Sequence, residues 1–240
     1  MNNNFDYSVR VKNGAGWRQF NRVRLMISVG QEYHEGGKLK AVVDWINRNP
    51  TIDEVHISVN DTLQRHNHYA QGLSKQQADA VAVSEGTLWI ERHQEILSGV
   101  NVKAVTTRWN DWLTDPAYPT ARSALDQYIM NNPDFETAIN ADANVHATRK
   151  ANRGEPIPET QLSHSREYLQ EELAVFAIQA KNLPAAEIYP GSNLLAAEYL
   201  LGKALPQAIA PLSSRYFTRI DFARVSPSPI AVQRLKMQHG

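Results

Sequence analysis

Arg22-Val23-Arg24-Leu25-Met26-Ile27-Ser28-Val29-Gly30 is the stretch on which the reading of the chain turns. It alternates and then becomes wholly apolar, the pattern of a strand buried on both faces, and Val29-Gly30-Gln31 ends it in a turn. Beyond it, Leu39, Val42, Val43 and Ile46 fall at helical spacing between Gly37 and Asn49, where Asn49-Pro50 closes the helix. Residues 55–59 read as a second strand, 61–97 as a helical region broken near Gly72 and Gly86, and 100–106 as a third strand. That alternation calls for right-handed crossovers and a parallel sheet. Downstream, helical patterns cover 116–130, 133–150, 159–180 and 193–201. Residues 185–189 form a short strand candidate ended by Pro190-Gly191, and 216–225 alternate like an edge strand. With no repeat, low-complexity segment or linker, the expectation is one α/β domain over residues 1–240: three layers, a mostly parallel central sheet, helices on both faces.

Composition sets limits on function. Among 240 residues, 25 Lys plus Arg balance 25 Asp plus Glu, which argues against a protein that coats nucleic acid by bulk electrostatics. A hydrophobic share of 42% and a charged share of 21% fit a soluble globular protein, not collagen, a charged disordered tail or a disulfide scaffold. Without cysteine there is no thiol nucleophile, thiolate zinc site or iron–sulfur cluster, which is compatible with a reducing cytoplasm. The first six residues, Met1 to Asp6, are neither a basic leader nor an apolar run, so no signal peptide is expected. The most apolar stretch, 194–212, is broken by Glu198, Lys203, Pro206 and Gln207, so no membrane span or membrane partner is expected either. The expected location is cytoplasmic. Charge is nevertheless uneven. Residues 1–24 carry Arg10, Lys12, Arg18, Arg22 and Arg24 against Asp6, and residues 215–240 carry Arg215, Arg219, Arg224, Arg234 and Lys236 against Asp221, each a net of +4. Either the basic segments at 1–20 and 226–240 are frayed and solvated, or the two ends fold together into a surface that attracts an anion.

Three features could carry chemistry. Ser28 stands where the first strand ends, at the carboxyl edge where open α/β sheets place their ligands, and would need a partner to manage its proton. Tyr168 and Glu172 are four apart on a predicted helix and so share a face; in a partly dry pocket the carboxylate could hold an ammonium or relay its proton. Glu171 beside them reads as a solvated residue. Tyr189 closes a strand directly before Pro190 and would project at the same edge as Ser28. His66-Asn67-His68 lacks a carboxylate at matching spacing, so no metal is expected. There is no phosphate-binding glycine loop, and Gly14-Ala15-Gly16 is too little for a dinucleotide fingerprint.

In combination, the strand ending in Ser28 with Gly30 two residues on, the helix with Tyr168 and Glu172, and the strand-end Tyr189 resemble the tRNA-dependent cyclodipeptide synthases. The resemblance spans about residues 20–200 and includes Asn132-Pro133-Asp134-Phe135 before a helix. Gln31 with Tyr189-Pro190 is similar to the Tyr-Pro subgroup. The resemblance implies a Rossmann-like fold related to class I tyrosyl- and tryptophanyl-tRNA synthetase catalytic domains, two aminoacyl-tRNAs as substrates, and neither ATP nor any cofactor; a monomer is the default expectation. It implies that Ser28 carries aminoacyl and dipeptidyl esters, that Tyr168 and Glu172 bind the ammonium, and that Tyr189 assists proton transfer. Backbone N–H groups near Val29-Gly30 would stabilise the oxyanion. Arg24, Met26 and Glu187 would line the pocket of the first aminoacyl group and Asp142, Arg149 and Lys150 that of the second, with Gly30 and Gln31 also binding substrate. Arg24 and Glu187 suggest a polar or ionisable first amino acid, His or Glu being in keeping with them.

One departure stands out. Relatives dock tRNA on a basic helix after the second strand, whereas residues 74–97 carry Lys75 and Arg92 against Asp79, Glu85, Glu91 and Glu95, a net of −2. Arg65, His66 and His68, or Arg149, Lys150 and Arg153, form small alternative patches. Two other readings compete: a serine esterase pairing Ser28 with His34, His56 or His66, and a non-catalytic tRNA-binding module if the four side chains fail to converge.

Overall fold

Strand β2 (Arg22–Ile27) lies at the centre of the molecule, with five of its six residues buried. A computed structural model describes residues 6–12, 14–152 and 157–225, the side chains of 146 and 149–152 excepted. Strands β3 (Glu54–Val59) and β5 (Ala186–Tyr189) pair with β2 in parallel, one on each side. Strand β4 (Lys103–Arg108) follows β3, and β6 (Tyr216–Val225) follows β5, both in parallel. Strand β1 (Asp6–Val11) runs antiparallel along β6, giving the order β1-β6-β5-β2-β3-β4. The sheet is thus mostly parallel, as expected, and its order reverses between β5 and β2.

The two sheet faces hold separate apolar cores. Val23, Leu25 and Ile27 point to one side and pack with Leu39, Val42 and Ile46 of α1 (Gly36–Asn47) and Trp89 of α3 (Lys75–Ser98). Met26 points to the other side, toward the cluster built by α4 (Trp109–Leu113), α5 (Tyr118–Asn131), α6 (Pro133–Asn152), α7 (Gln161–Asn182) and α8 (Leu195–Leu200). Seven consecutive residues of α7, Leu173 to Gln179, are buried, so this helix is enclosed by protein all round. Each fully buried Leu, Ile or Val contributes about 1.5–3 kcal/mol relative to exposure. No described helix is long and apolar enough to cross a membrane.

Four sequence expectations change. Residues 6–11 are not frayed: β1 is paired along its length with 220–225. Residues 226–240 lie outside the described residues. By the same pairing β6 is an inner strand, not an edge. The region 61–97 breaks at Gly72, with φ +90°, between the short helix α2 (Arg65–Ala70) and α3, but Gly86 lies inside unbroken α3. Ser74 starts α3 with a capping box, its hydroxyl accepting from Gln77 N and the Gln77 side chain accepting from Ser74 N. Strand β4 begins three residues later than expected, because Val100 and Val102 pack on the core while Lys103 N makes the first bond, to Asp53 O.

Candidate active site

Two strands end side by side where the sheet order reverses, and each ends in a polar side chain. Ser28 follows β2 and Tyr189 closes β5; Ser28 Oγ and Tyr189 OH are 3.1 Å apart. This is the topological switch point at which open α/β sheets bind ligands. Tyr33 OH lies 2.8 Å from Tyr189 OH, so three hydroxyls run in a chain from Ser28 outward. Burial first, then the neighbouring Tyr33, raises Tyr189 above the ordinary phenol range and keeps it a neutral donor. A Cβ at Gly191 would meet the Tyr189 ring at 2.5 Å, so only glycine lets the ring lie across the chain there.

The turn after β2 is held by backbone bonds. Gln31 N donates to Ser28 O at 3.2 Å, Gly30 takes φ +83°, and the Gln31 side chain is exposed. Ser28 N donates to His34 Nδ1 at 2.9 Å. Accepting on Nδ1, His34 is neutral with its proton on Nε2, and burial depresses its pKa to about 3. His34 therefore fixes the serine backbone and does not touch Oγ.

Helix α7 brings Tyr168 and Glu172 to the same place. Glu172 is half-buried, and burial raises its pKa to about 8 against the pull of Arg215, with Glu187, Asp142 and Glu171 adding to the rise. Tyr168 is raised well above the usual phenol range by burial and then by Glu172, with Tyr189 and Tyr33 also acting on it. Gln64 Nε2 donates to Tyr168 OH at 3.4 Å. Ser28, Tyr189 and Tyr33 are thus joined by hydrogen bonds, and Tyr168 and Glu172 lie within electrostatic reach of Tyr189.

Around it, the other expected residues fall differently. Met26 is buried beneath the site. Arg24 and Glu187, both 1% exposed, bond to each other at 3.1 Å. Arg24 also donates to His56 Nδ1, Gln179 O and Leu183 O, while Arg215 grips the other side of Glu187. Burial lowers Arg24 to about 10, with Glu187 opposing the fall. This pair is a buried polar cluster tying β2, β5 and α7 together, and its groups bond to protein. Asp142 accepts from Leu195 N and Ala196 N at 3.0 and 2.9 Å, so it caps α8; burial raises its pKa against those two bonds. The side chains of Arg149 and Lys150, and Arg153 entirely, lie outside what the structure describes.

Glu171 is the largest correction at residue scale. It is 3% exposed, not solvated, and receives both ends of the Arg65 guanidinium, His66 Nε2 at 3.2 Å and Trp109 Nε1 at 2.8 Å. His56 bonds Arg24 and Thr107, so none of the three candidate histidines for an esterase reaches Ser28 Oγ. No group of three metal-ligating side chains occurs among the described residues. Tyr33 and Gln64 were not singled out by the sequence, His34 was named only as an esterase partner and Arg215 only as part of a basic segment; the position of Tyr33 just past the Ser28 turn is the one signal that could have pointed to it.

A family model described as cyclodipeptide synthase matches residues 16–184, a span that includes Ser28, Tyr168 and Glu172 and stops before Tyr189. No curated protein matches by sequence. Among solved structures, a cyclodipeptide synthase from Fluoribacter dumoffii superposes with a TM-score of 0.78 at 22% identity, covering 91% of this chain and 100% of that one. A Mycobacterium tuberculosis cyclodipeptide synthetase, described as related to type I tRNA synthetases, gives 0.64 at 15% identity over 94% and 99%. A cyclodipeptide synthase from Candidatus Glomeribacter gigasporarum, solved with Phe-tRNAPhe bound, gives 0.61 at 18% identity over 86% and 89%. The fold they share with this chain is Rossmann-like.

Proposed function

We propose that this chain, which belongs to the cyclodipeptide synthase family, joins the aminoacyl groups of two aminoacyl-tRNAs into a cyclic dipeptide through esters on Ser28. The observation that carries the reading is the Ser28 hydroxyl bonded to the Tyr189 phenol at the switch point, within the field of the Glu172 carboxyl. The relative solved with Phe-tRNAPhe supports aminoacyl-tRNA as the substrate class.

In the first step Ser28 Oγ attacks the aminoacyl ester carbonyl; the bond to the tRNA ribose oxygen breaks, and the hydroxyl proton passes to that oxygen. One ester replaces another, so no ATP is needed. Backbone N–H groups near Val29-Gly30 stabilise the developing oxyanion in this scheme. Tyr168 and Glu172 hold the α-ammonium of the seryl ester, and Glu172 takes its proton. The freed amine attacks the second aminoacyl-tRNA, an amide forms and the second tRNA leaves with the proton. The new terminal amine then attacks the seryl ester, closing the six-membered ring and returning the proton to Ser28 Oγ through Tyr189. Kinetics are ping-pong. Gln31 with Tyr189-Pro190 supports a reading of the chain as a member of the Tyr-Pro subgroup, and a monomer is the state we propose. Arg24, Glu187 and Arg215 are buried and paired with one another, so they give no support to a polar or ionisable first aminoacyl side chain.

Expression in bacteria and mass spectrometry of the medium test the activity, with a diketopiperazine expected. Ser28→Ala should abolish the product, at least about 10³-fold, and should leave no label on the protein after quenching with radiolabelled aminoacyl-tRNA. Label retained at another residue would overturn the serine mechanism. Product formed without tRNA would overturn the substrate class.

A further inference from the structure

Tyr33 has no task in the reaction proposed above, on which the role inferred for it rests. Its place is set by the Ser28 turn. Glu32–His34 form a single tight helical turn, entered through Gln31 N donating to Ser28 O at 3.2 Å and closed by His34 N donating to Gln31 O at 2.9 Å. This turn puts the Tyr33 ring edge-on to the Tyr189 ring, with centroids 5.7 Å apart and planes at 81°. His34 lies 5.6 Å from the same ring and is itself anchored, its Nδ1 by Ser28 N and its carbonyl by Trp89 Nε1 at 3.1 Å. Two adjacent side chains of one short turn thus flank Tyr189, and Tyr33 OH meets its hydroxyl at 2.8 Å.

The row of hydroxyls must have a direction. A phenol has one proton to donate. Tyr189 OH has a hydroxyl on either side, Ser28 Oγ at 3.1 Å and Tyr33 OH at 2.8 Å, so it donates to one and accepts from the other. In ring closure the seryl ester breaks, and Ser28 Oγ leaves with the electron pair and takes up a proton. A Tyr189 that donated to Tyr33 would aim its proton away from that oxygen. With Tyr33 as the donor, the Tyr189 proton is left for Ser28 Oγ, and the other lone pair of Tyr189 is open to the proton of the attacking amine.

We propose that Tyr33 is a positioning residue for ring closure: its hydroxyl donates to Tyr189 and so turns the single Tyr189 proton toward Ser28 Oγ. As the terminal amine attacks, the C–N bond forms and the ester C–O bond breaks. The Tyr189 proton passes to Ser28 Oγ, the amine proton takes its place on Tyr189, and Tyr33 keeps its own. Acylation of Ser28, in which the serine proton goes to the ribose oxygen, makes no use of this arrangement.

Rapid-quench assays with bulk bacterial tRNA charged with radiolabelled amino acids separate the steps. Mass spectrometry of the labelled peptide tells an aminoacyl from a dipeptidyl ester on Ser28. Tyr33→Phe removes the hydroxyl and keeps the ring; it should be acylated at the wild-type rate. Ring closure should then be slower by roughly 10–100-fold, less than the loss of a group that itself transfers the proton, so that dipeptidyl enzyme accumulates. Tyr189→Phe should accumulate the same species. Tyr33→Phe combined with Tyr189→Phe should be no slower than Tyr189→Phe alone, because both substitutions act on one proton. Circular dichroism checks that each variant is folded. If Tyr33→Phe forms product at the wild-type rate, slows acylation and closure equally, or adds its full loss to that of Tyr189→Phe, the positioning role is overturned. In those cases a wild type that makes diketopiperazine through labelled Ser28 keeps the proposed function standing. A wild type that takes no label and makes no product from the charged tRNA overturns both.

Discussion

Glu172 is a carboxyl whose surroundings set it apart from every surface glutamate in the chain. Burial lifts its pKa to about 8, above the unfolded value near 4.3, so the native state holds a proton that the unfolded state has already lost. Between those two values stability must fall as pH rises, because the folded form has to accept a buried charge. Glu172→Gln never ionises, so its melting temperature should exceed the wild-type value by a margin that widens from pH 5 to pH 8. A margin that stays constant would mean the carboxyl titrates normally. For activity, only the ionised form can take the ammonium proton, so kcat/KM of the wild type should climb toward a plateau above about pH 8. Glu172→Gln should lose about 10²–10⁴-fold and the climb with it. The sequence placed this residue and Tyr168 on one helix face by spacing alone. It could not assign the opposite fate to Glu171, one residue on, because what buries Glu171 is Arg65, His66 and Trp109, about 60 to 105 residues away along the chain.

At the scale of elements, the strands and helices were legible wherever local pattern and burial agree: β2, α1, β3, α5, α6 and α7 sit within two residues of where periodicity puts them. The misses share a physical cause, a tertiary partner that overrides a local signal. Strand β1 has the charge of a solvated tail and becomes a strand because β6 offers it an edge. Glycine at position 86 lowers helix propensity by about 1 kcal/mol relative to alanine and so reads as a break. In the fold it permits close packing: a Cβ there would meet Oδ2 of Asp61 at 2.2 Å. Asp61 is itself fixed by Arg108 and by Thr62 N and Trp109 N, so it has little freedom to withdraw. Gly86→Ala should therefore destabilise the protein by about 1–3 kcal/mol despite the gain in propensity, as read from urea unfolding. A variant as stable as wild type would show that Asp61 can move and that α3 is held elsewhere.

For the whole molecule, the charge balance of 25 against 25 conceals an arrangement that matters more than the sum. Arg10, Lys12, Arg219 and Arg224 gather on β1, β6 and the residue after β1, while Glu187 and Glu171 are drawn inward and paired, Glu187 with two arginines and Glu171 with Arg65 and His66. Glu171 is the point at which α2, α4 and α7 meet through hydrogen bonds. Burial alone would raise its pKa, but the bonds from His66 and Arg65 outweigh that and hold it below the usual range. A carboxylate depressed in this way contributes stability that is complete above its unfolded pKa and disappears as pH falls through its folded one. Glu171→Gln leaves the Arg65 guanidinium with only the longer pair to Asp79, at 3.5 Å, and should cost about 3 kcal/mol at pH 7. Urea unfolding of the two proteins should then give curves that draw together in acid, because the wild type loses there what the variant never had. A gap as wide at pH 3 as at pH 7 would mean that Glu171 acts by shape and not by charge, and that α2, α4 and α7 are joined by their apolar contacts alone.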